Sequence, residues 1–218
     1  MANIPNLLGV HALVWVGGWS KDQAREAIKN SAEAGYGLIE IPALDPASID
    51  TEDTLKVLGE FNMKAACSLG LSFDADINNE DAEIVARGEK KLFDALTVVE
   101  RLNGNYLGGV LFSALGKYQG PPTTKARDNA VAVIGRLAKA AKERGILLGL
   151  EPVNRYESNL LNTGQQAIDF IKDTGSDNVK VHLDIYHMNI EEQDLVSPVI
   201  ATGDRLGYVH IGASHRGP

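Results

Sequence analysis

The stretch LEPVNRYESNL, residues 150–160, joins a predicted strand to a polar segment and indicates how the whole chain is built. The apolar run ILLGL (146–150) leads directly into Glu151, and Arg155 and Glu157 follow closely. Near-continuous apolar runs are typical of parallel strands that are buried on both faces. Two acids and an arginine at the end of such a strand indicate a functional site at the carboxyl end of a parallel sheet.

The same pattern recurs along the chain, because strand-length apolar runs alternate with longer amphipathic segments. Ser20 with Gln23 predicts the start of the first helix as a capping box, and Asn162 with Gln165 predicts the start of a later one. Strand–helix alternation at this spacing produces parallel βαβ units. The strands are predicted at about 7–15, 37–43, 64–71, 106–113, 146–152, 179–185 and 206–212, and two short helices at about 51–61 and 194–204.

Two arrangements of such units compete. A doubly wound sheet usually has a glycine-rich phosphate loop after an early strand, and neither GxGxxG nor GxxxxGK[ST] follows any predicted strand. A (β/α)8 TIM barrel instead carries polar residues at the carboxyl ends of many strands, as this chain does. We therefore predict an α/β fold with one TIM-barrel domain over residues 1–218. Because seven strands are found rather than eight, the domain is expected to be C-terminally incomplete and to lack the eighth βα unit.

Composition and charge disfavour several classes of partner. The net charge of −8 disfavours nucleic acid, because phosphate contacts need a basic face. No apolar run reaches the roughly 18 residues that a membrane span needs. The first residues lack the pattern of a secretory signal, and the single cysteine, Cys67, excludes an internal disulfide. The last two features favour a reducing cytoplasm.

Three successive predicted strands end in potential metal ligands. Glu151, Asp184 and His210 lie at or near the ends of the fifth, sixth and seventh strands. In a barrel these positions converge at one end, and two carboxylates with an imidazole suit Mn²⁺, Co²⁺, Mg²⁺ or Zn²⁺. Each residue alone is more often solvated, paired or packed. Three ligand-type residues at equivalent strand ends predict a metal site, because buried charges need partners.

A second set of polar residues follows these three. Glu157, His187 and Arg216 come six, three and six residues after the preceding candidate ligand, and we expect them in the loops above the site. Arg216 offers a planar fork to a substrate oxygen, and His187 could donate a hydrogen bond to a carbonyl or hydroxyl. The alternative for Glu157 is a surface ion pair, with Arg155 or another neighbour, that contributes little.

For other residues, ordinary packing is an equally good interpretation. Cys67, Trp15 and Phe112 lie near strand ends and could line the apolar side of a substrate or simply pack. His182 on the sixth strand is assigned to the barrel interior, near the metal site but not as a ligand. Glu40 is expected to form a structural ion pair.

Three motifs carry a family likeness. They are LEPVNRYE (150–157), LDIYHMNIEE (183–192) and HIGASHRG (210–217), and CSLGL (67–71) extends it. In this order they resemble the D-tagatose 3-epimerase and D-psicose (D-allulose) 3-epimerase family of sugar isomerase-like TIM barrels, related to the xylose isomerases. The resemblance implies inversion of C3 of a free ketose through an enediolate, with Mn²⁺ or Co²⁺ as the metal and Mg²⁺ as a possible substitute.

The resemblance also implies a role for each candidate residue. One of two proton-carrying glutamates would be Glu151, which would bind the metal together with Asp184 and His210. A homo-oligomer, either a dimer or a tetramer, is expected. The residues that would contact the sugar are Glu157, His187, Arg216 and Cys67.

The chain departs from the family pattern in two ways. The second glutamate of the family lies on strand eight, beyond these residues, and Ala213 stands where the usual motif HIGESHRG has a glutamate. Two alternatives therefore stay open. One is another enzyme of this barrel type, such as a hydroxypyruvate isomerase or an inosose-processing enzyme. The other is an inactive, truncated barrel that binds metal or sugar weakly.

Overall fold

The structure is a computed structural model that describes residues 6–215. Arg216, a predicted substrate contact, lies outside the described residues. Two compact units are present, one from the described residues of Met1–Leu69 with Asp94–Leu107 and one from those of Gly70–Phe93 with Gly108–Pro218. The assignment of residues 1–218 to a single domain stays a prediction.

The predicted number of strands is confirmed, because residues 6–215 contain seven. Their order in the sheet follows the chain from the first to the seventh. The first three strands pair in parallel, and so do the last three. The strands are β1 (Gly9–His11), β2 (Leu38–Pro42), β3 (Lys64–Leu71), β4 (Tyr106–Ala114), β5 (Leu147–Leu150), β6 (Val179–Asp184) and β7 (Leu206–His210).

Seven α-helices occur within the same described residues. Ser20 and Gln23 form the predicted capping box at the start of the first of them. The predicted start of the fifth was wrong by one residue, because Thr163 and Gln166 form its capping box. The side chain of Asn162 instead donates to carbonyls of the preceding loop. The helices are α1 (Lys21–Glu33), α2 (Thr51–Glu60), α3 (Ala82–Arg101), α4 (Thr124–Glu143), α5 (Gly164–Thr174), α6 (Ile185–Glu191) and α7 (Ser197–Thr202).

Two element predictions were wrong for reasons of capping. Strand β1 ends at His11, because the His11 side chain accepts a hydrogen bond from Leu13 N and caps a short 3₁₀ helix at Ala12–Val14. Helix α6 was not predicted, since most residues of IYHMNIE are weak helix formers. It begins because Asp184 Oδ1 accepts a hydrogen bond from Tyr186 N at 2.7 Å. A side-chain cap therefore turns the end of β6 directly into a helix.

Aliphatic packing in the second unit fixes the strands that carry the candidate site. On β5, Leu148 and Leu150 are fully buried, and on β6 Val181 and Leu183 are at most 1% exposed. Helix α4 packs on β5 and helix α5 packs on β6. Burying one such side chain stabilises the fold by roughly 1.5–3 kcal/mol. The carboxyl ends of these strands are therefore held by a close-packed interior.

A buried carboxylate, Asp76, ties the segment after β3 to the end of β4. Its Oδ1 accepts hydrogen bonds from Asn78 N at 2.9 Å and Ala114 N at 3.0 Å. Its Oδ2 accepts a hydrogen bond from the hydroxyl of Tyr118 at 2.6 Å. Burial raises the pKa of Asp76, and the three hydrogen bonds oppose that shift. The Asp76 carboxylate thus joins two loops through three donors.

Replacing Asp76 by alanine should lower the free energy of unfolding by about 2–4 kcal/mol, because it leaves buried donors without their acceptor. Tyr118→Phe removes one of the three donors and should cost about 1 kcal/mol. Denaturant unfolding of the two variants and the wild-type protein measures both values. A cost for Asp76→Ala no larger than that for Tyr118→Phe would show that the carboxylate is not the link between these loops.

Candidate active site

Four of the predicted site residues lie together at the carboxyl ends of β5, β6 and β7. Glu151 follows β5, Asp184 ends β6 and His210 ends β7. The His210 Nδ1 atom lies 3.4 Å from Glu151 Oε1 and 3.8 Å from Asp184 Oδ2. The His187 Nε2 atom lies 4.0 Å from each of the same two oxygens. These four residues are called the carboxylate–histidine cluster below.

Backbone and ring contacts hold the cluster in place. Glu151 N donates to the carbonyl of Gly109 on β4 at 3.1 Å, so its side chain leaves from a fixed backbone position. The imidazole of His210 packs edge to face on that of His182, with ring centroids 4.1 Å apart. In the strand register Asp184 lies opposite His210. The carboxylates and imidazoles therefore meet because neighbouring parallel strands end at the same level.

The donor set fits a divalent metal ion. Two ligand atoms held at about 2.1 Å from one ion are roughly 3.0–3.4 Å apart, close to the separations of His210 Nδ1 from Glu151 and Asp184. Oxygen and imidazole donors without a thiolate suit Mn²⁺, Co²⁺ or Mg²⁺. Possible ligand atoms lie within 4.8 Å of one another in the set Glu151, His182 and His210, and also in the set Glu151, Asp184 and His187.

The position of His182 adds a candidate that the sequence did not favour. His182 is fully buried on β6, as its assignment to the interior predicted, and yet it lies within reach of Glu151 and His210. The alternation of side chains along a strand places it on the face that carries Asp184. The sequence shows that His182 and Asp184 share one face of the strand, but it does not show how close His182 lies to His210.

His187 lies on helix α6 rather than in a loop, and it is held by Asn154. The backbone N of Asn154 donates to His187 Nδ1 at 3.1 Å, and the Asn154 Nδ2 atom is 2.9 Å from the same nitrogen. Asn154 Nδ2 also donates to Glu157 Oε1 at 3.0 Å. Asn154 therefore connects two predicted sugar contacts. The sequence analysis missed it, although it stands within the EPVNRYE motif.

For Arg155 the sequence left open a surface ion pair with Glu157 or with another neighbour. The Arg155 guanidinium donates to both carboxylate oxygens of Glu191, at 2.9 and 2.7 Å, and the Arg155 backbone N donates to Glu191 Oε1 at 2.7 Å. The hydrogen bond from Arg155 lowers the pKa of Glu191. This pair attaches the loop after β5 to helix α6. Glu157 stays in that loop, as predicted.

The remaining candidates show mainly structural contacts. Cys67, in the first unit, is 1% exposed, and burial followed by the nearby charge of Glu40 raises the pKa of its thiol to about 12. The thiol therefore stays protonated and packs as a small apolar side chain. Glu40 Oε1 lies 3.7 Å from His11 Nε2, in keeping with the expected structural pair. Phe112 is fully buried, and its packing interpretation is favoured.

No helix within residues 6–215 is both long enough and apolar enough to cross a bilayer.

Comparison with known proteins identifies the relatives of this chain. The sequence model of the xylose isomerase-like TIM barrel family matches residues 28–218. An L-ribulose 3-epimerase from Methylomonas sp. (strain DH-1) is 50% identical over 209 residues, which are 96% of this chain and 73% of the relative. A ketose 3-epimerase from Arthrobacter globiformis is 43% identical over 210 residues, again 96% of this chain and 73% of the relative.

A solved structure gives the same result. The crystal structure of N-terminal His-tagged D-allulose 3-epimerase from Methylomonas sp. in complex with D-allulose has a TM-score of 0.96 and 50% identity, over 97% of this chain and 73% of that one. The fold is thus a xylose isomerase-like TIM barrel, and the predicted fold class is confirmed. The chain belongs to the ketose 3-epimerases, which are isomerases, so the predicted family and enzyme class are also confirmed.

Proposed function

We propose that this protein epimerises a free ketose at C3, with Glu151, Asp184 and His210 holding a divalent metal ion and Glu151 also moving the C3 proton. The observation that carries the proposal is the cluster at the ends of β5, β6 and β7, in which the His210 Nδ1 atom lies 3.4 and 3.8 Å from the two carboxylates. D-Allulose and L-ribulose, named for the relatives, are the first substrates to test.

The chemistry follows from these side chains. A ketose C3–H is a weak acid, and a bound metal ion would polarise the neighbouring carbonyl and stabilise the charge of the enediolate. Glu151 removes the proton from C3, and the C–H electrons form the double bond between C2 and C3. A placed carboxylate contributes about 10²–10⁴-fold in such a step. The polar groups of His187 and Glu157 orient the sugar beside it.

Inversion needs a second proton carrier on the opposite face of C3. The family resemblance implies that this glutamate would lie on strand eight. Hydrogen exchange at C3 with solvent, in contrast, needs only one base, and Glu151 can act as that base. The finer assignments also remain proposals: Mn²⁺ or Co²⁺ as the metal, a cytoplasmic location and a homo-oligomeric state.

Deuterium incorporation at C3 in heavy water tests the proposal. Allulose, fructose, tagatose and ribulose are each incubated with the protein, once with added Mn²⁺ or Co²⁺ and once with a chelator. We expect metal-dependent exchange at C3 with at least one of these sugars. Exchange at C1 alone would indicate an aldose–ketose isomerase. Absence of exchange from all four sugars in the metal-loaded protein would refute C3 chemistry by these residues.

A further inference from the structure

The contact between Asn154 and His187 fixes where the imidazole carries its proton. A backbone N–H can only donate, so His187 Nδ1, which lies 3.1 Å from Asn154 N, must accept with its lone pair. A neutral imidazole has one N–H, and with Nδ1 as acceptor that proton is on Nε2. Both residues are 2% exposed, so little water competes for these atoms.

The amide of Asn154 is itself held in one orientation. Its Oδ1 accepts a hydrogen bond from Tyr156 N at 3.0 Å, which leaves Nδ2 directed at His187 Nδ1 and Glu157 Oε1. Exchanging the oxygen and nitrogen of this amide would set two donors against each other at Tyr156 and two acceptors against each other at Glu157. The side chain therefore supports the same protonation pattern as the backbone.

The next residue fixes the distance between the loop and the helix. Arg155 binds Glu191 through its guanidinium and its backbone N. His187 and Glu191 are four residues apart on α6, so they lie on the same face of the helix. Two consecutive loop residues thus hold two positions of one helix face, and His187 cannot turn without breaking both contacts of Asn154.

We propose that Asn154 is a positioning residue that keeps His187 in the Nε2–H form, so that His187 donates to a sugar oxygen and does not bind the metal. The inference rests on the proposed function of the cluster. It also separates the two possible ligand sets, because a protonated nitrogen has no lone pair for a metal ion. The set with Asp184 and His187 is disfavoured on this ground, and the imidazole candidates that remain are His210 and His182. An N–H donor at Nε2, 4.0 Å from Glu151 Oε1, is suited to a substrate oxygen that gains negative charge.

Two substitutions of Asn154 distinguish this role from simple packing. Asn154→Asp keeps the size but places an acceptor against the lone pair of His187 Nδ1. Asn154→Ala removes the side chain and leaves the backbone donor in place. We expect Asn154→Asp to lower kcat on the order of 10²-fold, as loss of one positioned donor does, and Asn154→Ala to lower it far less. A packing role predicts the opposite order, with alanine the more damaging change.

The carboxylate introduced by Asn154→Asp would also repel Glu157, so the experiment needs a control for this effect. The same two substitutions made together with Glu157→Gln remove that repulsion, and the aspartate variant should still be the slower one. If the order reverses in this background, Asn154 acts on Glu157 rather than on His187, and the proposal is overturned.

The position of the proton on the His187 ring can also be measured without any enzyme assay. Nitrogen-15 NMR of labelled histidines in the Mg²⁺-loaded protein, with His187→Gln to assign one signal among five histidines, shows which ring nitrogen carries hydrogen. The wild-type protein and Asn154→Ala should show the His187 proton on Nε2, and Asn154→Asp should lose that pattern. A His187 proton on Nδ1 in the wild-type protein overturns the inference, even if C3 exchange is found. The Nε2–H form in a protein without C3 exchange would instead count against the proposed function alone.

Discussion

Replacing Glu151 by glutamine should reduce C3 hydrogen exchange by about 10⁴-fold or more, the upper end of what a positioned base contributes. Glutamine keeps nearly the same shape, and the backbone bond from residue 151 to Gly109 does not involve the side chain. The amide, however, cannot accept the C3 proton as a carboxylate does. The loss should therefore appear in kcat rather than in folding, which circular dichroism and the unfolding midpoint would verify.

Glu143 provides a matched control for this experiment. It is an exposed acid at the end of α4, outside the carboxylate–histidine cluster. Glu143→Gln makes the same chemical change and should leave the exchange rate within about 2-fold, since surface substitutions rarely matter. If Glu151→Gln retained a tenth of the wild-type rate, another group would have to be the base.

Loss of metal affinity should be the second large effect. Asp184→Asn and His210→Ala should each weaken binding of Mn²⁺ or Co²⁺ by at least about 100-fold, because they remove a donor rather than one of the outer contacts, whose loss alone costs 10–100-fold. Titration calorimetry measures this directly. The metal should also raise the unfolding free energy of the wild-type protein, by about 2.7 kcal/mol when its concentration is 100 times the dissociation constant.

His215→Ala is the matched control for the histidine substitution. His215 is exposed and lies five residues beyond His210. Its removal should leave both the metal affinity and the metal-induced stabilisation unchanged. Wild-type affinity in both Asp184→Asn and His210→Ala would show that these residues are not ligands and would leave His182 and His187 to be tested.

Sequence reasoning predicted the strands and the convergence of Glu151, Asp184 and His210 because both depend on regular geometry. Parallel strands buried on both faces are visible as apolar runs, and their carboxyl ends must lie side by side. No detail of side-chain conformation is needed for that step. The metal ion that such a site would hold and the role of each residue do not follow from such geometry.

What could not be predicted depends on single contacts between distant residues. Helix α6 follows from the capping bond of Asp184 rather than from helix propensity. The partner of Arg155 is Glu191, 36 residues away, and a nearer acid was an equally reasonable choice. The hydrogen bond from Asn154 to His187 depends on the direction of one backbone N–H, which no residue pattern encodes.

The two oxygens of the Asp184 carboxylate have different partners, which would restrict the ions that the proposed metal site accepts. Its Oδ1 holds Tyr186 N and so begins α6, which leaves Oδ2 to face the cluster. If the Asp184 carboxylate rotated so that both oxygens faced one ion, the hydrogen bond from Tyr186 N that caps α6 would be lost. Large ions such as Ca²⁺, with six to eight oxygens at about 2.3–2.6 Å, often take carboxylates in pairs of oxygens. In the proposed metal site, the start of this helix would therefore favour small ions that take one oxygen from this side chain.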